Sequence, residues 1–215
     1  MKKNVFIDCG TNLGQGLLEF HMMFNMLNSP EWEIHSFEAN PDIDLSFPVV
    51  DNLSYHKKAV WVKETTIGFL MARRGQSYDD PLGWGNSSAA GELTRLGNHL
   101  QIDEIDNPNI TEALEKVVQV PAIDFSEYLK TFQTSKYGRI VVKMDVEGAE
   151  YKIMRHLLKK RTAKLIHTLF IETHHHVMPN EDEKTTTTLL KKLTDLGIEV
   201  YQEDHSPGGA NWVIK

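Results

Sequence analysis

Cysteine is nearly absent from this chain: Cys9 stands alone among 215 residues. No intrachain disulfide can form, so the fold must rest on its core rather than on covalent staples. Cys9 lies in an apolar stretch, where a small buried thiol is expected, and a reducing compartment fits. Long hydrophobic runs are also missing. No stretch approaches the roughly 18 apolar residues that a spanning helix needs. The opening "MKKNVFIDCG" meets an aspartate after only Val5, Phe6 and Ile7, too soon for a signal-peptide core. These features predict a soluble, cytoplasmic protein with no membrane span. Concentrated positive charge is absent as well. There are 30 acidic residues against 23 basic ones, a formal net charge of -7, and Lys159-Lys160-Arg161 is the only short basic patch. Nucleic acid and anionic lipid are therefore poor electrostatic matches. That patch suits the C-terminal end of a helix, where positive charge favours the macrodipole.

What is present is ordinary globular composition, 40% hydrophobic and 25% charged, enough for one core in a single domain over residues 1–215. Short apolar runs read as strands: "NVFIDCG", "EIHSFEANP", "LSYHKKAVW", "TIGFLMARR", "IVVKMD" and "KLIHTLFIETH". Between them, Leu17, Phe20, Phe24 and Leu27 recur at helical spacing, and Met22, Met23 and Met26 widen that face as core filling. "EYKIMRHLL" is a second helix. "EDEKTTTTLLKKLTDLG" is a third, stopped by Gly197. "IEVYQED" and "NWVIK" then form an antiparallel pair across "HSPGGA". Strands alternating with helices predict an α/β three-layer sandwich with a mostly parallel sheet and a C-terminal antiparallel strand pair. Residues 72–120 break the pattern, being rich in Gly, Asn, Asp, Ser and Pro, and read as an irregular insertion or lid with "TEALEKVV" its clearest helical piece.

Ligands of such sheets bind at the carboxyl ends of the strands, near the reversal of strand order. Three polar turns follow strands there, after Ile7, Phe37 and Met144. The first, "DCGTNLGQG", fails the dinucleotide pattern G-x-G-x-x-G in either register. An aspartate two residues before its first glycine would repel a pyrophosphate but attract an ammonium. S-adenosylmethionine, with its α-amino group and sulfonium, suits the turn better. The second turn, "FEANP", ends its strand on Glu38, positioned to accept hydrogen bonds from a ribose diol. The third, "KMDVEGAE", holds Asp145, Glu147 and Glu150 around Gly148. Glu147 and Glu150 suit a helix N-terminus, and Gly148 a close approach of helix to sheet. Asp145 ends the strand and should point into the cleft.

"VFIDCGTNLGQ", "SFEANP", "KKAVW" and "VVKMDVEGAEYKIMRHLL", followed by "LFIETHHH", together resemble the FkbM-type methyltransferases, over roughly residues 4 to 178. These are S-adenosylmethionine-dependent enzymes of Rossmann-like methyltransferase fold that mostly methylate hydroxyl oxygens. The resemblance implies that Asp8, Gly10, Asn12 and Gly14, with Thr11 and Gln15 in the same turn, lie along the cofactor. It implies that Glu38 holds the ribose, that Ala39, Ala59 and Val60, with Asn40, lie near the adenine, and that Ser88 in "GNSSA" approaches the methionine end. Asp145 belongs to both the cofactor and the acceptor side. Gln15 and Gly16 depart from the family, where an aromatic is common, as does the "HHH" run.

Methyl transfer to an alcohol needs either a base that takes the proton as the bond forms or a cation that lowers the alcohol's pKa. His174 is a candidate base, and Lys143 another if burial depresses its pKa. Asp145 and Glu172, each ending a strand, with His174 beside them, are a candidate set for Mg2+ or Mn2+. The expected acceptor is a sugar or glycan hydroxyl. A small-molecule or lipid-linked hydroxyl, or a binding protein that keeps the S-adenosylmethionine pocket without chemistry, are the alternatives.

Overall fold

The computed structural model describes residues 2–43, 45, 50–70, 117–133, 135–175, 178, 180–204 and 211–215. Its first strand, β1 (Lys3–Cys9), is buried from Val5 onward and lies in the interior of a seven-stranded sheet. A strand flanked on both sides cannot keep one face polar, which is why "VFI" is continuous rather than alternating. On one side follow β2 (Trp32–Phe37) and β3 (Leu53–His56), and on the other β7 (Tyr137–Met144), β8 (Thr168–Ile171), β9 (Glu199–Asp204) and β10 (Asn211–Ile214). The order is β10-β9-β8-β7-β1-β2-β3. Every neighbouring pair is parallel except β9 and β10. The expected Rossmann-like α/β sandwich is therefore present. The order reverses between β1 and β7, so the carboxyl ends of β1, β2 and β7 share one edge, as the three polar turns require.

Helix α1 (Gln15–Phe24) covers one face, with Leu17 and Phe20 buried against Phe6, Ile34, Val141 and Phe170. Phe20 meets Phe170 edge-on at 4.8 Å, a favourable aromatic geometry. Of the methionines read as core filling, only Met26 is buried. Met22 is 86% exposed and Met23 49%. The helix stops at Asn25 in the left-handed region, so the chain turns before Met26 reaches the core.

The other face carries α2 (Phe125–Lys130), α3 (Glu150–Lys160) and α4 (Glu183–Thr194), together with a second sheet. That sheet, β4-β6-β5, consists of β4 (Ala59–Trp61), β5 (Thr65–Leu70) and β6 (Val117–Asp124). The sequence reading had one strand in "LSYHKKAVW". The structure divides it at Lys57-Lys58: β3 extends the large sheet, and β4 leaves to pair with β6. Residues 117–120, expected to close the irregular insertion, are strand. The helix expected over "TEALEKVV" (111–118) is corrected at Val117 and Val118, which are strand; the rest of that piece, the rest of the insertion and Ser88 lie outside the described residues. No helix among the described residues is long and apolar enough to cross a membrane.

Candidate active site

The turn after β1 is shaped by two glycines and an asparagine with positive φ: Gly10 at 85°, Asn12 at 51° and Gly14 at 94°. Gly10 is the position where nothing else fits. A Cβ there would overlap the backbone carbonyl oxygen of Asp145. The Asp145 amide donates to the Cys9 carbonyl oxygen at 3.0 Å, locking the two turns together at the switch in strand order. The Gly10 and Thr11 amides both donate to the Phe37 carbonyl oxygen, at 3.0 Å each, tying in the end of β2.

Glu38, one residue beyond β2, is 8% exposed. The Asn12 amide donates to its Oε2 at 2.7 Å and the Asn40 amide to its Oε1 at 2.8 Å. Burial raises its pKa, and those two amides act against the rise. Each oxygen keeps a further lone pair for a ligand hydroxyl. Glu38 stands in the wall of a cleft enclosing about 680 Å³ out to its mouth. Gly10, Asn12, Ala39 and Asn40 line one side. Ala59, Val60, Ile67 and Phe69 of the small sheet line another, and Asp145 and Glu147 close the end. Such a cleft, mostly apolar with polar groups at its rim, fits a nucleoside-sized ligand.

The acidic end is denser. Lys143 lies on β7 beside its register partner Asp8 on β1. Its Nζ donates to the Gly10 carbonyl oxygen at 2.8 Å and to Asp145 Oδ2 at 3.0 Å, and stands 3.6 Å from Asp8 Oδ1. Burial alone would lower its pKa, but Asp145 and Asp8 outweigh that and hold the ammonium well above its ordinary range. A lysine so held is no base, and the expectation of a depressed pKa is corrected. Burial raises the Asp145 carboxyl, Glu172 adds to the rise, and Lys143 opposes it.

After Asp145 the chain turns through Glu147 (φ 53°) and Gly148 (φ 101°) into α3. A Cβ on Gly148 would run into the Met178 side chain, so this glycine admits a neighbouring loop rather than bringing the helix onto the sheet. Glu150, read from sequence as a helix-start acid, is completely buried. Its Oε2 accepts from the Gly148 amide at 2.7 Å. Its Oε1 accepts from the His174 amide at 2.9 Å and faces His174 Nδ1 at 3.0 Å. The other ring nitrogen, Nε2, faces Glu172 Oε1 at 3.3 Å and Glu147 Oε2 at 3.5 Å. Burial would lower the His174 pKa, but hydrogen bonds to Glu150 and Glu172 and the charges of Glu150 and Glu147 push it up to about 12. The near-neutral base expected from sequence is an imidazolium here. Burial, reinforced by Asp145 and Glu172, pushes Glu147 up to about 7.

The family described as the Methyltransferase FkbM domain matches residues 8–200, a span holding both ends of this cleft. The chain belongs to the FkbM methyltransferase family. No curated protein and no solved structure matches it significantly.

In this FkbM methyltransferase the residues expected along the cofactor divide into two groups. Gly10, Asn12, Glu38, Ala39, Asn40, Ala59, Val60 and Asp145 line one cleft. Asp8, Thr11, Gly14 and Gln15 do not. Asp8 is 1% exposed; its carboxylate makes no hydrogen bond among the described residues and serves as counter-charge to Lys143. The Thr11 hydroxyl donates to its own turn, at the Asp8 carbonyl oxygen. Gly14 caps α1, and Gln15 begins it, exposed. Asp145 and His174 do converge as expected, but the third member of that group is Glu147 rather than Glu172. Sequence reasoning also missed Ile67 and Phe69. Their i, i+2 spacing in "TTIGFL" was the available signal that both share one face of a strand.

Proposed function

We propose that this FkbM methyltransferase transfers the methyl group of S-adenosylmethionine to a hydroxyl oxygen, that of a sugar or glycan. The observation that carries the reading is the cleft itself. Glu38, fixed by the Asn12 and Asn40 amides, stands at one end in reach of a ribose diol, with apolar residues of the small sheet facing the base. Asp145 and Glu147 stand at the other end, where the sulfonium and the acceptor would meet. The carboxylates gathered around Asp145 also favour a cofactor of net positive charge.

The reaction is an in-line displacement. The hydroxyl oxygen forms a bond to the methyl carbon, the carbon–sulfur bond breaks, and S-adenosylhomocysteine leaves. The hydroxyl proton must go elsewhere. His174 and Lys143 already carry protons among carboxylates, so the cleft carboxylates are its acceptors. A divalent cation such as Mg2+ or Mn2+, when bound, would lower the hydroxyl's pKa and ease that step. Calorimetry with S-adenosylhomocysteine and turnover of methyl-labelled S-adenosylmethionine on a panel of glycans and simple hydroxyl compounds test the proposal. Methyl transfer to sugar oxygens is expected. Binding without transfer to any hydroxyl would overturn the O-methylation, and no binding would overturn the cofactor.

A further inference from the structure

We infer that Asp145, Glu147 and His174 form a divalent-cation site, and that Glu150 is the positioning residue that turns His174 Nε2 toward it. The inference draws its purpose from the methyltransferase reading, but the site stands on its own geometry.

One ligand atom from each of the three residues lies within 4.8 Å of the others. Donors about 2.1–2.3 Å from one ion stand up to about 4.5 Å apart, so small side-chain rotations close the set. The histidine is held for this purpose by its other nitrogen. Glu150 Oε1 takes both the backbone N–H and the Nδ1 of His174, which fixes the ring and leaves Nε2 as the atom facing Glu147 and Glu172. A buried carboxylate on the far nitrogen is how metal-ligating imidazoles are set in orientation and tautomer. A helix cap needs no such arrangement, because it works from the surface with one amide. Glu150 is fully buried and fully engaged.

Glu147 is delivered by unusual backbone. A glutamate with φ of 53°, followed by Gly148 at 101°, is a conformation the surroundings must impose. The charges agree. Among the described residues Asp8, Asp145, Glu147, Glu150 and Glu172 surround only Lys143 and His174, an acidic excess that a dication still reduces after it displaces the Nε2 proton of His174. The two carboxylates suit Mn2+ or Mg2+, the imidazole favours Mn2+ of the two, and no thiolate is present to select a soft ion. Three protein donors leave coordination positions for an acceptor oxygen and water. Glu172 stands beside Nε2 but outside the set, in the position of a residue that holds a ligating water.

The test is Mn2+ binding to the full chain without cofactor or acceptor, followed by the loss of the free-ion EPR signal. One ion per chain is expected, displaced by excess Mg2+, with an imidazole 14N modulation in the pulsed spectrum. His174→Ala should abolish that modulation. Glu147→Gln, at a side chain one-quarter exposed, should weaken binding at least about tenfold without unfolding the protein. Glu150→Gln keeps an acceptor but loses the charge, and should weaken binding by about 10- to 100-fold, with the 14N coupling reduced. Glu64→Gln, at an exposed position, should change nothing. A merely structural Glu150 would lower the melting temperature and leave affinity and coupling intact. No Mn2+ binding, or binding indifferent to Glu147→Gln and His174→Ala, would overturn the site. Full turnover in chelator together with no binding would sink the site and leave the methyltransferase reading standing. Mn2+ binding with no S-adenosylhomocysteine binding would do the reverse.

Discussion

At the Glu38 end of the cleft each carboxylate oxygen rests on a backbone amide, and the opposite wall is the apolar face of the small sheet. At the Asp145 end carboxylates outnumber cations, and the side chains are held by one another across β1, β7 and β8. The first end is complete as a protein surface and selects by shape and hydrogen-bond direction. The second is unbalanced as a charge distribution and selects by charge. Histidines record the same contrast. Behind the Glu38 end, His35 and His56 are pushed below their ordinary range, chiefly by burial. At the acidic end His174 is pushed far above it.

Two residues form the seam between these ends, and breaking it should have the largest effect. Lys143 bonds the Gly10 carbonyl oxygen on one side and Asp145 on the other, with Asp8 behind. Lys143→Met should cost about 3–5 kcal/mol of folding stability, because it strands the buried Asp8 carboxylate. Adding Asp8→Asn should recover part of that loss. Urea denaturation checks both, and a cost below about 1 kcal/mol would show that Asp8 finds another partner. Gly10→Ala strikes the same seam from the backbone. It should cost about 2–4 kcal/mol, through a disallowed φ and overlap with the Asp145 carbonyl.

Glu38→Ala separates the ends. S-adenosylhomocysteine affinity should fall by about 1–3 kcal/mol, the scale of lost charged hydrogen bonds, while Mn2+ affinity stays as it was. Calorimetry with each ligand is the measurement, and an unchanged nucleoside affinity would remove Glu38 from the ribose site. The smallest effect is on acid stability. His35 and His56 have folded pKa values below the unfolded value of about 6.5. Below that pH the unfolded chain binds protons that the folded chain refuses, so their contribution to stability falls as pH drops. His56→Phe, stacking on Phe37 as His56 does, should remove one such group. The stability difference between variant and wild type should shift toward the variant from pH 7 to 5.5, by well under about 1 kcal/mol. A difference flat in pH would show that His56 titrates normally.

The large sheet was legible because its strands are apolar and its helices periodic. In the small sheet β5 was legible too, but β6 was not, for particular reasons. Pro121 in "VVQVPAID" argues against a strand, since proline cannot donate to a ladder. In the structure β4 joins β6 only from Ala122 onward, so the missing N–H at Pro121 meets no partner strand on that side. The following helix was overlooked although its start is written in "DFSE": Asp124 accepts from the Ser126 and Glu127 amides. In the cleft, the turns around Gly10 and Glu38 were visible as local patterns. The partnership of Glu150 with His174 was not, because 24 residues and a change of element separate them. Lys143 was misjudged for a related reason. Burial alone lowers a lysine's pKa, and only the register of β1 against β7 reveals the aspartate beside it.

Strands β5 and β6 run antiparallel and pair from Thr65 with Ala122 out to Leu70 with Val117. The two points where residues 71–116 leave and rejoin the described fold are therefore one strand spacing apart, about 5 Å. Ends held so closely make that segment an exchangeable cassette. It can be lengthened, shortened or replaced by a two-residue turn without asking any strand of the large sheet to move. The joint lies beside a cleft whose wall includes Ile67 and Phe69, so such an exchange changes what borders the cleft while the strands that carry it stay in place.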